Sequence, residues 1–386
     1  MTTHRRSRPG PWQVTALLAT LAAALLVAAG CGGNDKGSGG SSSQAGSSSG
    51  SVPAGLAEAQ SIVKKASTRP STISVTKPIG KPVPTGKKLV FISCGVEACN
   101  VQGKIIAQGA KDLGWTSSTI ATDGSPEKLQ GAFDTALRNG ADAVILNAVD
   151  RASVAKQIAA AQKQGVAFVT CCSVERVGSG ILYNTSTPEQ NAQIGTALAA
   201  KAVADSKGKA DTLYVNISAF KILKDLGTSF QQSYKQYCPD CGIATIDIPL
   251  TALGKDAPDR IVSYLRSHPK VNHVVLSVSD ALGNGLPAAL QAAGLGGKVK
   301  ILGQGASTQI YQYVSGGQVQ SVVPFDYFAV DYQMLDALAR HFAGVPIQQT
   351  APPQWLLTKD ALPSTSQLFP VVQDYRQQFL KLWGKA

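Results

Sequence analysis

Six cysteines in the body of the chain fall into three close pairs: Cys94 with Cys99, Cys171 with Cys172, and Cys238 with Cys241. Thiols at such spacings can do redox chemistry, hold a metal or close short covalent loops. A thioredoxin-like pair needs its CxxC at a helix N-terminus behind a strand, where a thiol pKa is lowered. Tyr237-Cys238-Pro239-Asp240-Cys241 has the reverse context, after a helix pattern and before a strand pattern, which favours a loop staple. Zinc needs four ligands, and His4, His268, His273 and His341 do not cluster, so no metal is expected. Adjacent Cys171 and Cys172 would point to opposite faces of a strand, so a bond between them needs a tight turn. They are either a vicinal disulfide, forming a rigid polarizable plate, or two buried thiols acting as small hydrophobes. A Cys94–Cys99 bond would pin one loop. No GxSxG, no Ser–His–acid order and no glycine-rich phosphate loop is present, so neither enzyme activity nor a cofactor is expected.

The remaining chemistry-bearing residues stand where apolar runs end. Leu89-Val90-Phe91-Ile92, Ala143-Val144-Ile145-Leu146 and Val166-Ala167-Phe168-Val169 read as strands covered on both faces. Helical patterns separate them: Ile106, Ala110 and Leu113 share one face, and Ser125-Pro126-Glu127 and Thr187-Pro188-Glu189-Gln190 read as helix starts. The alternation restarts at Thr212-Leu213-Tyr214-Val215 and continues through 243–248, 274–276, 299–302 and 322–323. Such alternation predicts an α/β fold with two doubly wound parallel-sheet lobes joined by a hinge. Ligands of these sheets sit beyond the carboxyl ends of the strands. The candidate ligand-binding residues there are Cys94 and Gly95, Asn147 and Asp150, Cys172 and Ser173, then Ser218, Phe220 and Lys221. Ser279, Asp280, Gln304, Phe325 and Asp326 complete the set. Bland roles stand beside each: Asp150 and Asp280 as helix N-caps, Asn147 and Ser279 as strand-end closures, Phe220 and Phe325 as hinge packing.

The first thirty residues are of another kind. Arg5, Arg6 and Arg8 precede an apolar stretch from 14 to 29 that is too short to span a membrane, and Leu26-Val27-Ala28-Ala29-Gly30-Cys31 ends it. Small residues followed by cysteine resemble a bacterial lipoprotein signal. The resemblance implies removal of residues 1–30, acylation of Cys31, and a body anchored on the extracytoplasmic face of the plasma membrane, where disulfides persist. Residues 31–86 are expected to be a flexible glycine- and serine-rich tether and an extended lead-in, with Pro70, Pro78, Pro82 and Pro84 keeping the lead-in extended. The net charge of +12 is scattered, with no basic tract, which argues against nucleic acid.

Over about residues 87–360 the order of segments resembles the type I periplasmic substrate-binding proteins of ABC importers, sugar-binding branch. The resemblance is carried by Asn147-Ala148-Val149-Asp150 after an apolar strand, Gly227-Thr228-Ser229-Phe230 in a helix, and Ser279-Asp280 before an Ala/Gly-rich helix. It implies a monomer that captures a small solute between its lobes and delivers it to a membrane permease. A sensory binding protein presenting its ligand to a membrane receptor would read the same way. Lobe one is expected at 87–205 plus 325–345, and lobe two at 206–324 plus 346–386, with crossings near 201–209, 323–328 and 344–354. Gly303-Gln304-Gly305 lacks the acidic residue that family often has there, and Cys172 and Ser173 stand where Asp or Arg often grip sugar hydroxyls. A solute that is sugar-like or less polar than a free monosaccharide follows.

Overall fold

The computed structural model describes residues 54–93 and 97–386. The expected leader, Cys31, the glycine- and serine-rich stretch, Cys94 and Gly95 lie outside the described residues.

Along the chain run α1 (Ala54–Ala66), β1 (Lys88–Ser93), α2 (Glu97–Leu113), β2 (Thr116–Ala121), α3 (Pro126–Arg138), β3 (Ala143–Leu146), α4 (Ala155–Lys163), β4 (Ala167–Cys171) and β5 (Tyr183–Thr185). Next come α5 (Pro188–Asp205), β6 (Asp211–Asn216), α6 (Leu223–Tyr237), β7 (Gly242–Asp247), α7 (Ala257–Ser267), β8 (His273–Leu276), α8 (Ser279–Leu282) and α9 (Leu286–Ala292). Then follow β9 (Lys300–Gln304), α10 (Thr308–Ser315), β10 (Ser321–Val323), α11 (Tyr327–Ala343), β11 (Leu357–Thr358) and α12 (Tyr375–Leu382).

The strands form two sheets, ordered β2-β1-β3-β4-β5 and β11-β10-β9-β8-β6-β7. All pairings are parallel except β10 with β11. Central strands β3, β4 and β8 are buried along their whole length, as helices on both sheet faces require. Edge strand β2 is different: Thr116-Ser117-Ser118-Thr119 faces solvent, so it carries no apolar signal. The helix starts are built as their residues suggest. Thr187 and Gln190 form a capping box at α5, and Ser307 caps α10 by accepting from the Ile310 N–H at 3.2 Å.

Lobe membership differs from the expected boundaries in three places. Helix α5 packs along α6 and under β9, so it belongs to the second lobe, and the crossing falls between Thr185 and Pro188, not near 201–209. The approach of α5 to α6 is close: a Cβ on Gly195 would lie 2.3 Å from the Leu226 carbonyl oxygen, so only glycine fits. Helix α12 packs on α11, which itself lies against α2, β4 and β5, so the C-terminus returns to the first lobe. The segment 54–86 is part of the folded body. Helix α1 packs on α5 and α6, and the lead-in buries Ile73, Val75, Ile79 and Val83. Those four apolar side chains contribute about 1.5–3 kcal/mol each on burial, ample to dock an otherwise extended strap. The Ala/Gly-rich helix expected behind Ser279-Asp280 is broken into α8 and α9, where Gly285 adopts φ +78° and Pro287 opens the next turn.

Candidate functional site

The carboxyl ends of both sheets face each other across a cleft; a cavity of about 640 Å³ opens at its edge around Val174, Phe220, Lys221 and Gln231, and two more lie within it. The larger of these two, about 430 Å³, is walled by Ala98 and Val101 from α2, Asp280 and Asn284 from around α8, residues 306–310 after β9, Tyr327 at the start of α11, and Leu368. The smaller, about 220 Å³, is walled by residues 148–150 and 172–174 of the first lobe and 219–222 of the second.

In the smaller cavity the first lobe presents a bonded pair, Cys171–Cys172. The turn that brings adjacent cysteines together is visible in the backbone, with Cys172 in the left-handed region at φ +62°. It is held by the Cys172 N–H donating to the Thr185 carbonyl at 2.9 Å, and by the Ala148 N–H donating to the Cys171 carbonyl at 2.9 Å. Ala148 is itself left-handed, at φ 55°. Cys171 is fully buried, while Cys172 lines the cavity. Opposite stands Phe220, 42% exposed, and beside the disulfide Val174, 38% exposed. At the mouth the Lys221 ammonium donates to the Asp150 carboxylate across the two lobes. That bond holds the Asp150 carboxyl below its usual range and raises the Lys221 ammonium. Asp150 also accepts from the Ala152 N–H at 3.3 Å, so it caps the 3-10 turn after β3 and pairs across the cleft at once.

Other expected site residues have settled roles. Asp326 is buried, and its two oxygens accept from the Ala329 and Val371 N–H groups at 3.1 Å each. It is therefore the cap of α11 and a clasp on the C-terminal segment, not a free ligand contact. Ser218 bonds Asp247 through both its N–H and its hydroxyl, at 2.6 and 2.7 Å, which closes the loop after β6. Ser173 accepts weakly from the Glu175 N–H at 3.4 Å. Phe325 packs edge-on to Tyr327 at 4.8 Å, and it is Tyr327, not Phe325, that reaches the larger cavity. Gln304 is buried at the end of β9.

Unpartnered polar groups stand just beyond the ends of β3 and β8. Asn147 is 3% exposed, and neither end of its amide has a partner among the described residues. The hydroxyl of Ser279 and Oδ1 of Asp280 are likewise buried without partners. Burial pushes the Asp280 carboxyl up to about 6. Asp280 does not cap α8, whose N-cap is Val278; its carboxylate lies beside Gly305 instead. Gly305 sits at φ +133°, and a Cβ there would come 2.3 Å from Asp280 Oδ1, so the glycine makes room for the acid.

Sequence reasoning missed several walls of the larger cavity. Ser307 and Thr308 follow the end of β9 and were legible by that position. Leu368 had no local signal, because it arrives from a segment some forty residues further along the chain than Tyr327. Elsewhere, Cys238 is bonded to Cys241 in the loop between α6 and β7, and Cys99 is disulfide-bonded while its expected partner Cys94 lies outside the described residues. Among the described residues no group of His, Cys, Asp and Glu could hold a metal ion.

A family model described as periplasmic binding protein domain matches residues 99–345. No curated protein matches the chain. Among solved structures, it is similar to an ABC transporter solute binding protein from Agrobacterium vitis with bound allitol, at 18% identity and TM-score 0.62, covering 72% of this chain and 97% of that one. A 5-methylthioribose transporter solute binding protein from Thermotoga lettingae, in complex with 5-methylthioribose, is similar at 19% identity and TM-score 0.62, covering 81% and 100%. A sugar ABC transporter from Yersinia enterocolitica is similar at 18% identity and TM-score 0.63, covering 81% and 99%.

Proposed function

We propose, from the premise that this chain belongs to the periplasmic binding protein domain family, that it is an extracytoplasmic lipoprotein that captures a small solute in the interlobe cleft and hands it to an ABC permease. The single observation that supports this most is the cavity of about 430 Å³ whose walls come from both lobes and from Tyr327 at the start of α11. Its volume is in the range that holds a small organic molecule. Walls contributed by two lobes make ligand affinity depend on closure, so the solute stabilises the closed arrangement by its differential contacts with it. The pattern of polar groups supports a solute that is sugar-like or less polar than a free monosaccharide. A monosaccharide needs most of its hydroxyls paired on burial, and the larger cavity sets Asp280, Asn284, Ser307, Thr308 and Gln309 beside Ala98, Val101, Ala306, Ile310, Tyr327 and Leu368. Anchoring through Cys31 and a monomeric state belong to the same reading.

The test is a thermal-shift screen of residues 51–386 against sugars, polyols, nucleosides and small aromatics. A binder raises the melting midpoint by mass action, and scattering from the same sample should show compaction. A verified binder that leaves the radius of gyration unchanged would remove the hinge-closure reading.

A further inference from the structure

Within that reading of the cleft as a solute site, the larger cavity has one formally charged wall residue, Asp280. Among the described residues no lysine, arginine or histidine acts on this carboxylate, and burial dominates its upward shift to about 6. The titratable groups around it are Tyr311 and Tyr327, whose hydroxyls burial and the neighbouring acids push up, and Asp326, whose oxygens are already held by backbone N–H groups. The lysine at the cleft mouth, Lys221, is committed to Asp150. A negative charge therefore faces a partly open space, with no counter-ion among the described residues that line it, beside the ring of Tyr327.

We propose that the cleft selects a small solute carrying a protonated amine, whose ammonium sits between the Asp280 carboxylate and the Tyr327 ring. A carboxylate supplies the opposite charge, and an aromatic face is attractive to a cation once both are desolvated. A hydroxyl would satisfy one lone pair and leave the charge uncompensated. An anionic solute would meet Asp280 with no base to receive it.

The experiment is titration calorimetry on the full chain in detergent with matched probes: D-glucosamine against D-glucose, and benzylamine against benzyl alcohol, with benzoate as the anion. At least one amine binds tenfold or more tightly than its hydroxyl twin, and benzoate does not bind. In D280N, which keeps the shape and removes the charge, the ratio within that pair falls towards one. A protonated carboxyl cannot pair with an ammonium, so amine affinity in the unaltered protein drops about tenfold as pH falls from about 7 to about 5, through the Asp280 value near 6, while the hydroxyl twin holds. This pH profile decides the matter by itself should D280N fail to fold. Equal binding of the twins, preference for the hydroxyl, or binding of neutral sugars with neither amine overturns the amine assignment and leaves the solute site standing. Failure of every solute to bind removes the solute site itself.

Discussion

Replacing Arg340 with methionine tests how the hinge helix is held. Helix α11 delivers Tyr327 to the cleft at its start and is clasped near its end by a buried ion pair. Arg340 Nε donates to Asp336 Oδ2 at 2.6 Å, and the two side chains are 3% and 2% exposed. The other Asp336 oxygen accepts from the Trp383 indole at 2.9 Å, and Arg340 Nη2 donates to the Lys77 carbonyl in the lead-in. One ion pair thus joins α11, the residue after α12 through Asp336, and the lead-in strap through Arg340. Removing one partner of a buried pair leaves an uncompensated charge and costs about 3–5 kcal/mol. The lower end is expected, because the Trp383 N–H remains and Asp336 can take up a proton. Burial already raises the Asp336 carboxyl, and the Arg340 hydrogen bond and charge oppose that rise. In R340M the rise goes further. A carboxyl whose folded pKa lies above its unfolded value loses stability as pH climbs through the folded value, so the R340M deficit is full at about pH 8 and shrinks towards about pH 5. Urea unfolding followed by tryptophan fluorescence at the two pH values measures it, and the double variant D336N/R340M should recover a large part. A deficit under about 1 kcal/mol at the higher pH, or one equal at both, would refute the assignment of a charged buried clasp.

Three further outcomes are expected. Gly195→Ala drives a Cβ into the Leu226 carbonyl and should destabilise by about 1–3 kcal/mol, seen in the melting midpoint; an unchanged midpoint would mean α5 and α6 can separate freely. Phe220→Ala should weaken binding of a solute found by the screen by about 1–3 kcal/mol in calorimetry, and an unchanged dissociation constant would confine Phe220 to the rim. Lys221→Met removes the ion pair across the lobes and should enlarge the radius of gyration by scattering, an effect that about 1 M salt should mimic in the unaltered protein; no change in either would show that the pair follows closure without favouring it.

Much of the site was legible because strand ends are local events. The apolar runs ending at Ile92, Leu146, Val169, Val215 and Leu276 predict strands, and the polar residues behind them fall at the cleft by the geometry of parallel sheets. Edge strand β2, built of Ser and Thr and facing water, gave no apolar pattern to read, and β5, with three residues, was too short for one. Asp326 shows the opposite failure. Its place at the crossing suggested a ligand contact, but its second oxygen is occupied by the N–H of Val371, a residue whose approach nothing near Asp326 announces.

What the residues alone determined is the alternation of buried strands and capped helices, hence two parallel sheets and the list of groups at their carboxyl ends, because burial on both faces and helix capping are properties of short segments. Only the tertiary structure decided which lobe receives α5 and α12, which acids keep a free oxygen, and that Tyr327 and Leu368 close a chamber around Asp280. Those outcomes depend on how distant segments cross and meet, and such meetings are governed by the packing of whole helices against one another, which no short stretch of chain encodes by itself.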